Sequence, residues 1–595
     1  MSSSISPYDK DVSPRWVWLL LISAGLLRFL NLGFHDLQAW DEALYTVRAE
    51  SILLWGHWLD QSSHAIGGLY SALHPPLQVW LSALLFKLTS VNEFTARLVS
   101  AVAGALTLPV IFLIGRQLHS RRLGLLAALL YGLTPFTVFF TRQGQFDSLL
   151  TFFLTLSAFF IIKSLEGGPR QHIILAGIAA GLGLMTKLFV ALGMPLAYAG
   201  WIIFMKPNDG ANHWKRLGLL VGIMALVALP WHVFMTVEHG GGNPFFFLQQ
   251  SSILERSFTG VEGNTKSLEI FYYINQLFVL FPVGASWLIF GVWQSVKTKE
   301  NSRLFLSLWF LLFFVIFSLM RTKLAFYLLP ILVPGSLLAA RTMLSAMQAT
   351  ISLRTVAVLF SGTWISVLWA ASQSWRTSVK NFLLSVLHFQ FPDTAVLHDL
   401  FRLGLLVSLG LIVILLLFHQ ERLKNVVPHV GLLLILPLAM VTVFQVNILD
   451  RTQYKDGAVE LAHFVNRRGI HSIVVAGYDR NPQLTYYLRG ADIGWRTDLH
   501  VRRIIPPEDS TQYHHWLRAE MSTESSSTLL LIEKDKFVRY ETVQPLNFVP
   551  GDFHRVFESR RYSGFLRPSG PLYARSHEVP FTLSPNLVIL QQGIL

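Results

Sequence analysis

Two adjacent carboxylates, Asp41 and Glu42, are the residues whose type and spacing most directly indicate chemistry. They follow the first apolar stretch of the chain, His74 precedes a Pro-Pro pair, and a further acid, Asp147, comes just before another apolar stretch. A carboxylate in such a position can act as a general base toward a hydroxyl group. The pattern predicts a carboxylate-based active site held at one face of a membrane.

Each of these residues also has a structural interpretation. Asp41 can cap a helix whose first turn holds Glu42, and Asp147 can cap the helix that follows it. His74 and the prolines after it can form an extended turn. Residue type alone leaves both interpretations open.

Lysines and aromatic residues further along the chain have similar alternatives. Lys187 and Lys323 can bind a ligand, or they can extend their side chains toward lipid headgroups. The aromatic residues at 271–273 and 326–327 are predicted to form a belt at the membrane interface rather than a platform on which a sugar stacks.

The elements that position these residues are predicted to be membrane helices. Hydrophobic residues make up 52% of the 595-residue chain and charged residues 14%, which lies outside the range of ordinary soluble proteins. A spanning helix needs about 20 apolar residues. Thirteen segments are accordingly predicted to span the membrane: 15–33, 95–115, 123–140, 146–164, 171–186, 188–205, 217–236, 270–292, 304–320, 324–340, 354–372, 402–418 and 430–448.

Lys187 marks a predicted break between two of these spans. As one helix, residues 171–205 would be about 50 Å long at roughly 1.5 Å per residue. This exceeds a hydrocarbon core of about 30 Å. Two short helices with Lys187 at the turn remove the excess length and keep the cation away from the middle of the bilayer.

Basic residues fix the orientation of the helices, because cytoplasmic loops are enriched in Lys and Arg. Six alternate loops carry them: Arg116, Arg121 and Arg122; Lys163 and Arg170; Lys206, Lys215 and Arg216; Lys297, Lys299 and Arg303; Arg341 and Arg354; Arg422 and Lys424. If the amino terminus is cytoplasmic, residues 77–91 cannot span the membrane. We therefore predict that they form a helix in the outer interface. The polar candidates fall on the outer side: Asp41, Glu42, His64, His74, Arg142, Asp147, Lys187, Glu255, Arg256, Arg321 and Lys323.

The carboxyl-terminal part, 450–595, has a different composition. Segments 472–476 and 528–532 are predicted to be buried strands, and 455–468 and 482–489 helices. The sequence therefore predicts a mainly α, polytopic membrane protein with a small α/β domain outside the membrane.

Net charge and cysteine content exclude some classes of function. The net charge of +13 comes largely from cations in short loops predicted to be cytoplasmic, so we expect no nucleic-acid partner. The chain has no cysteine, which excludes a disulfide framework and a thiolate nucleophile. Outer cations near the membrane surface lie where a lipid presents its phosphate.

Several motifs, taken in order, carry a resemblance to a known superfamily. They are Trp40-Asp41-Glu42-Ala43-Leu44-Tyr45, His74-Pro75-Pro76-Leu77 with Trp80, Phe146-Asp147, Gly183-Leu184-Met185-Thr186-Lys187, Leu229-Pro230-Trp231, Glu255-Arg256-Ser257-Phe258 and Lys323-Leu324-Ala325-Phe326-Tyr327-Leu328-Leu329-Pro330. Over roughly the first 340 residues the chain resembles the lipid A aminoarabinose transferases and, more broadly, the protein O-mannosyltransferase-like enzymes with the C-type glycosyltransferase fold.

The resemblance implies transfer of a sugar from a polyprenyl-phosphate carrier to an envelope acceptor at the periplasmic face of the bacterial inner membrane. It implies that Asp41 is the catalytic carboxylate, with Glu42 beside it and Asp147 as a second acid. The residues implied to surround the substrate and the lipid phosphate are His74, Lys187, Arg256, Lys323, Tyr327 and Tyr45. Together with the apolar segments and the change in composition, it divides the chain into a glycosyltransferase core (1–340) with an outer first loop (34–94), further membrane helices (341–449) and a periplasmic domain (450–595).

The sequence departs from the narrower family at three positions. Aminoarabinose transferases usually carry an acid and a lysine where this chain has Leu73 and His74, and an arginine where it has Leu44. These differences favour the mannosyltransferase-like group. They also weaken the case for a metal site like that of the narrower family, so we predict none, although a divalent metal is left open as a cofactor.

Two other classes of function fit part of the sequence. A polytopic protein with intramembrane cations can be a transporter or a flippase for lipid-linked sugars. A protein with an outer α/β domain can bind envelope glycans without catalysis. The sugar and the acceptor, whether lipid A, another glycolipid, a polysaccharide or a protein, are not specified by the sequence.

Overall fold

The computed structural model describes residues 13–33, 37, 41–63, 65, 69–187, 189–239, 258, 271–348, 350–374, 455–476, 486, 500–504, 519, 528–533, 554–558 and 562–566. These residues form two compact units. The first lies within Met1–Leu32, Ala72–Ser82 and Arg97–Asp450, and the second within Gly33–Ser71, Ala83–Ala96 and Arg451–Leu595.

Helices make up most of the described chain. In order they are α1 (Pro14–Leu26), α2 (Asp41–Trp55), α3 (Leu69–Ala72), α4 (Leu77–Leu88), α5 (Glu93–Leu118), α6 (Arg121–Gly132), α7 (Pro135–Thr141), α8 (Phe146–Leu165), α9 (Arg170–Leu184), α10 (Gly193–Met205), α11 (Gly210–Glu238), α12 (Tyr272–Leu280), α13 (Ala285–Thr298), α14 (Asn301–Leu319), α15 (Leu332–Met347), α16 (Leu353–Ser374) and α17 (Lys455–Arg468). The prediction of a mainly helical protein with several apolar helices is confirmed.

Within the described residues, α5, α8, α11 and α14 are each long and apolar enough to cross a membrane. The number rises to six if two bent helix pairs, α6 with α7 and α12 with α13, each count as one span. Two of the thirteen predicted spans, 402–418 and 430–448, lie outside the described residues. The full count of thirteen therefore stays a prediction.

Two predicted spans are not continuous helices. The segment 123–140 bends by 68° between α6 and α7, and 270–292 bends by 117° between α12 and α13. Pro135 is the first residue of α7 and Pro282 follows the end of α12. Proline lacks an N–H group and disfavours helical geometry in the residue before it, so the apolar runs continue while the helices break.

Other helix ends also differ from the prediction. In the segment 15–33, α1 ends at Leu26 and is followed by turns. The segment 324–340 begins with a short 3-10 helix, Ala325–Leu328, and the α-helix starts only at Leu332. Segment 77–91 does contain a helix, α4, whose place in the outer interface stays a prediction.

The predicted break at Lys187 is confirmed. Helix α9 ends at Leu184, a 3-10 turn covers Val190–Leu192, and α10 begins at Gly193. Phe189, between Lys187 and this turn, has a positive φ of 62°. The helix is thus interrupted, and Lys187 lies in the connection.

Helix α9 packs closely against α11. A Cβ atom on Gly177 would lie 2.9 Å from the Leu220 carbonyl oxygen, and one on Gly181 would lie 3.0 Å from that of Met224. Two glycines four residues apart let two helix backbones approach closely, as is common between membrane helices. This packing fixes the end of α9 that leads to Lys187.

The second unit contains α2 and, further along the chain, α17 and five short strands. The strands are β1 (Ser472–Ala476), β2 (His500–Ile504), β3 (Thr528–Glu533), β4 (His554–Glu558) and β5 (Tyr562–Leu566). They form one sheet of order β2-β1-β3-β5-β4, in which β1 pairs in parallel with β2 and β3, while β5 pairs antiparallel with β3 and β4. The predicted helix at 455–468 and both predicted strands are present. Of segment 482–489, Tyr486 alone is described.

Candidate functional site

Asp147 lies at the start of the long helix α8. It is in the first turn, one residue after Phe146, and the N-cap position is taken by Gln145. The interpretation of Asp147 as the cap is therefore wrong. A carboxylate in the first turn is nevertheless favoured by the positive end of the helix dipole.

Lys187 pairs with Asp147. The distance from its Nζ to Asp147 Oδ1 is 2.8 Å, and the two side chains are 15% and 6% exposed. A nearly buried cation needs an opposite charge close by, and the break after α9 delivers Lys187 to the first turn of α8. The structure therefore brings two of the predicted site residues into direct contact.

Two aromatic rings face the same ammonium group. Lys187 Nζ lies 5.1 Å from the ring centre of Phe326 and 5.0 Å from that of Tyr327. A cation at this distance is attracted by the negative face of an aromatic ring. Tyr327 is 6% exposed, and Tyr273, from the other aromatic run, is fully buried. The prediction of an interface belt is wrong for these two tyrosines.

Lys323 is nearly buried and holds the end of α14. Its ammonium group donates hydrogen bonds to the carbonyl oxygens of Phe317 at 3.1 Å and Ser318 at 2.6 Å, and to that of Met320. Carbonyls at the carboxyl end of a helix lack partners within the helix and carry partial negative charge. Lys323 therefore acts as a helix cap in this structure, while its expected phosphate contact stays a prediction.

Tyr273 connects Lys323 to the ion pair. The ammonium of Lys323 lies 5.5 Å from the Tyr273 ring centre, and the Tyr273 hydroxyl donates to the Leu324 carbonyl at 2.9 Å. Tyr273 also interacts electrostatically with Asp147 and Tyr327. Asp147, Lys187, Lys323 and Tyr327 thus belong to one cluster in the first unit.

His74 approaches the same cluster from the loop before α4. Its ring is half-buried and lies 5.5 Å, between ring centres, from that of Phe146, the residue next to Asp147. The backbone N–H of Leu77 donates to the carbonyl of Met185 at 3.1 Å. This hydrogen bond fastens the His-Pro-Pro segment to the chain just before Lys187.

A buried polar network supports the start of α8. Gln78 of α4 donates from Nε2 to Ser100 Oγ at 3.1 Å, and Ser100 Oγ donates to the Gln145 carbonyl at 3.0 Å. Ser148 Oγ donates to the Ser100 carbonyl at 2.6 Å. The network links α4, α5 and α8 directly behind Asp147.

The acidic pair belongs to the second unit. Asp41 and Glu42 are the first two residues of α2; Asp41 is partly exposed, and Glu42 and Tyr45 are buried. Further along α2, Arg48 Nη2 donates to Gln61 Oε1 at 2.9 Å. Burial lowers the pKa of Arg48 to about 10, an effect that nearby Tyr45 and Asp60 partly oppose. Glu42 lies in the first turn of α2, as one interpretation of the sequence predicted, but Asp41 is the first helical residue and not the cap that the same interpretation made it.

Three of the predicted outer residues lie outside the described residues: Arg256, Glu255 and His64. In the part of the chain that the structure describes, no group of three His, Cys, Asp or Glu side chains could hold a metal ion. Metal independence stays a prediction.

Sequence reasoning missed the supporting residues of the site. Gln78, Ser100 and Gln145 lie within apolar or loop segments. Nothing in their spacing indicates that they are in contact. Tyr273 is separated from Leu324 by 51 positions. Contacts at that separation follow from the packing of the helices and are not visible in local patterns.

Comparison with known proteins identifies what the chain is similar to. Residues 73–233 match the family model described as dolichyl-phosphate-mannose-protein mannosyltransferase. The undecaprenyl phosphate-alpha-4-amino-4-deoxy-L-arabinose arabinosyl transferase 1 of Pseudomonas fluorescens strain Pf-5 is 31% identical over 351 residues, which is 56% of this chain and 61% of that enzyme. The chain therefore matches less than two thirds of this relative's length.

Solved structures with the same fold cover more of the chain. The crystal structure of ArnT from Cupriavidus metallidurans bound to undecaprenyl phosphate covers 94% of this chain and 99% of its own, with a TM-score of 0.64 and 16% identity. The apo oligosaccharyltransferase of Archaeoglobus fulgidus has a TM-score of 0.51 and 10% identity, over 88% of this chain and 70% of its own. The sequence matches confirm the predicted resemblance to the mannosyltransferase-like and aminoarabinose transferase enzymes, and the solved structures confirm the fold.

Proposed function

We propose that this protein transfers a sugar from a polyprenyl-phosphate carrier to an envelope acceptor at the periplasmic face of a bacterial inner membrane. The similarity of residues 73–233 to a family of lipid-phosphate-sugar-dependent transferases supports this function. So does the fold, which is shared with an enzyme crystallised with undecaprenyl phosphate. The apolar helices α5, α8, α11 and α14 supply the membrane region that such a lipid substrate requires.

The Asp147–Lys187 ion pair carries the proposal. It lies in the matched region, at a break between two helices, with a cation that remains 15% exposed beside Phe326 and Tyr327. An ammonium group has three N–H donors, so a lysine that pairs with a carboxylate can also donate to a phosphate oxygen. A short connection between two helices is also where a lipid phosphate at the membrane surface can reach a cation.

The reaction is a single displacement with inversion. Asp41 takes the proton of the acceptor hydroxyl as its oxygen forms a bond to the anomeric carbon of the donor sugar. The bond between that carbon and the phosphate oxygen breaks, and polyprenyl monophosphate leaves with the electron pair. Because a phosphate is a good leaving group, cations that stabilise its developing charge suffice and no strong general acid is needed.

The remaining site residues support this step. Glu42 and Tyr45 lie beside the base on α2, and Asp147 orients the sugar or the acceptor. Lys187 and Arg256 bind the phosphate, and His74 and Tyr327 lie beside it. Lys323 is held by the end of α14, so it contributes positive charge to the site while its N–H groups stabilise the helix.

The membrane arrangement follows the same proposal. Thirteen segments, two of them bent, span the bilayer with the amino terminus in the cytoplasm, and the mixed sheet of the second unit belongs to a periplasmic α/β domain within 450–595. The acceptor is an envelope molecule. The relatives with known names act on undecaprenyl phosphate-linked 4-amino-4-deoxy-L-arabinose, which supports a C55-type lipid carrier for this chain.

Purified protein in nanodiscs, incubated with a radiolabelled undecaprenyl-phosphate sugar and an envelope extract, tests the function. We expect a labelled covalent product in the wild type and in the control Lys206→Met, an exposed lysine after α10, and a large loss in Lys187→Met. Movement of the donor across the bilayer without product would indicate a transporter. Retention of glycan without product would indicate a binding protein. Either result overturns the proposal.

A further inference from the structure

Three buried glutamines near the start of α8 each have at least one amide atom without a hydrogen-bond partner among the described residues. Gln143 is 3% exposed and both its Oε1 and its Nε2 are of this kind, whereas Gln78 and Gln145 each have one such atom, Oε1. All three belong to the first unit, and two of them are joined through Ser100.

Such atoms are costly to bury. An amide group removed from water without a compensating hydrogen bond costs about 1–3 kcal/mol, and native proteins retain few of them. Gln143 and Gln145 flank Gly144 directly before Phe146 and Asp147. The cost is therefore concentrated next to the carboxylate to which the proposed function assigns the orientation of a sugar.

The chemistry of these groups favours hydroxyl partners. An amide offers an acceptor oxygen and a donor NH₂, which together match the donor and acceptor character of sugar hydroxyl groups. The amides are neutral, and the Oδ1 of Asp147 is already paired with Lys187 at 2.8 Å. The three amides would give a protonated amino group on the sugar no negative charge to pair with, and burying an unpaired cation is unfavourable.

We propose that Gln78, Gln143 and Gln145 form the recognition surface for a neutral, hydroxyl-rich donor sugar, and that the protein selects it over an amino sugar. This inference rests on the proposed function. Contact with a sugar requires the side chains that cover these amides to move, so recognition accompanies donor binding. A site built to bind hydroxyl groups strongly rejects analogues that leave its polar groups unpaired.

The test compares two undecaprenyl-phosphate donors, one carrying a neutral hexose and one carrying 4-amino-4-deoxy-arabinose, with the purified full-length protein. We expect kcat/KM for the neutral donor to exceed that for the amino sugar. Gln143→Met and Gln145→Met retain side-chain volume but lose the amide, so each should lower kcat/KM for the neutral donor by about 3–10-fold. Gln348→Met, in the loop after α15, is the matched control and should leave it unchanged.

Two further measurements keep the outcomes distinct. Undecaprenyl phosphate affinity should stay at the wild-type value in the Met variants. Their thermal midpoints should not fall, because Met removes buried amide atoms without partners. Gln145→Glu should shift the preference toward the amino sugar. Equal or better transfer of the amino sugar by the wild type overturns the recognition role and leaves the enzyme activity standing. An unchanged donor ratio in the Met variants overturns it as well. Transfer from neither donor overturns the proposed function itself.

Discussion

The ammonium of Lys187 and the carboxylate of Asp147, 40 positions apart in the chain, meet at 2.8 Å with both side chains mostly buried. The pair joins the connection after α9 to the first turn of α8. Because both charges are removed from water, each is stabilised by the other. The pair holds the two elements together and forms the centre of the proposed phosphate site.

Removal of one partner of this pair should destabilise the protein more than removal of both. Asp147→Asn or Lys187→Met leaves a buried charge without its partner, at a cost of about 3–5 kcal/mol. The double variant leaves no such charge and should recover part of the free energy of unfolding, measured by denaturant unfolding in detergent. Glu300→Gln is the control, because its pair with Arg303 has a 51% exposed carboxylate and should cost about 1 kcal/mol or less. A double variant as unstable as the sum of the singles would contradict the coupling.

Substitutions of Lys323 and Lys187 should have different effects. The first should mainly lower stability, and the second should mainly weaken phosphate binding. Lys323→Met deprives the carbonyls at the end of α14 of their donor and should lower the free energy of unfolding by about 1–3 kcal/mol. Its affinity for undecaprenyl phosphate should fall less than that of Lys187→Met, because most N–H groups of Lys323 are held by helix carbonyls. Calorimetry with the lipid, alongside thermal unfolding, measures both. Weak lipid binding by Lys323→Met at unchanged stability would show that the cap is not its main role.

The close approach of α9 and α11 should tolerate no side chain at Gly181. A Cβ there would lie 2.7 Å from that of Val227, so Gly181→Ala forces the helices apart and should cost about 1–3 kcal/mol. Gly222→Ala, on α11, is the control, because its Cβ would meet nothing within 4 Å. Thermal midpoints of the two variants in the same detergent test the difference. Equal midpoints would refute the close packing.

Asp41→Asn should remove most transfer activity while the protein stays folded. General-base help is typically worth about 10²–10⁴-fold, and an amide cannot accept the proton of the acceptor hydroxyl. Initial rates of label transfer, with circular dichroism to confirm folding, measure this loss. Asp60→Asn is the control in the same unit, where Asp60 accepts hydrogen bonds from Ser62 at 2.8 and 2.9 Å within a turn. A parental rate in Asp41→Asn would rule out the assigned base.

The predicted orientation can be tested without preparing a cysteine-free background, because the chain has no cysteine. Ser63→Cys lies in the predicted outer loop and Asp209→Cys in a predicted cytoplasmic loop, and both positions are exposed. A membrane-impermeant maleimide added to intact inner-membrane spheroplasts should label the first variant and label the second only after permeabilisation. Labelling of both, or the reverse pattern, would refute the orientation.

The sequence predicted the features that depend on length and local composition. The turn at Lys187 follows from the excess length of 171–205, and the helix and strands around 455–476 follow from their apolar patterns. The bends before Pro135 and after Leu280 are not visible in hydropathy, which stays high across both segments, although prolines mark them. That signal was present in the sequence.

Other features could not be found by sequence reasoning. Lys323 was expected at the lipid phosphate, yet its hydrogen bonds go to carbonyls that the end of α14 exposes three to six positions earlier. The ring contacts of Lys187 with Phe326 and Tyr327 join positions more than a hundred residues apart. Only the packed helices determine which of several suitable partners a buried ammonium meets.

The hydrogen bond from the Leu77 N–H to the Met185 carbonyl joins the segment around His74 to the connection that contains Lys187. Because the two segments share this backbone bond, a substitution that displaces one of them is expected to disturb the position of the other.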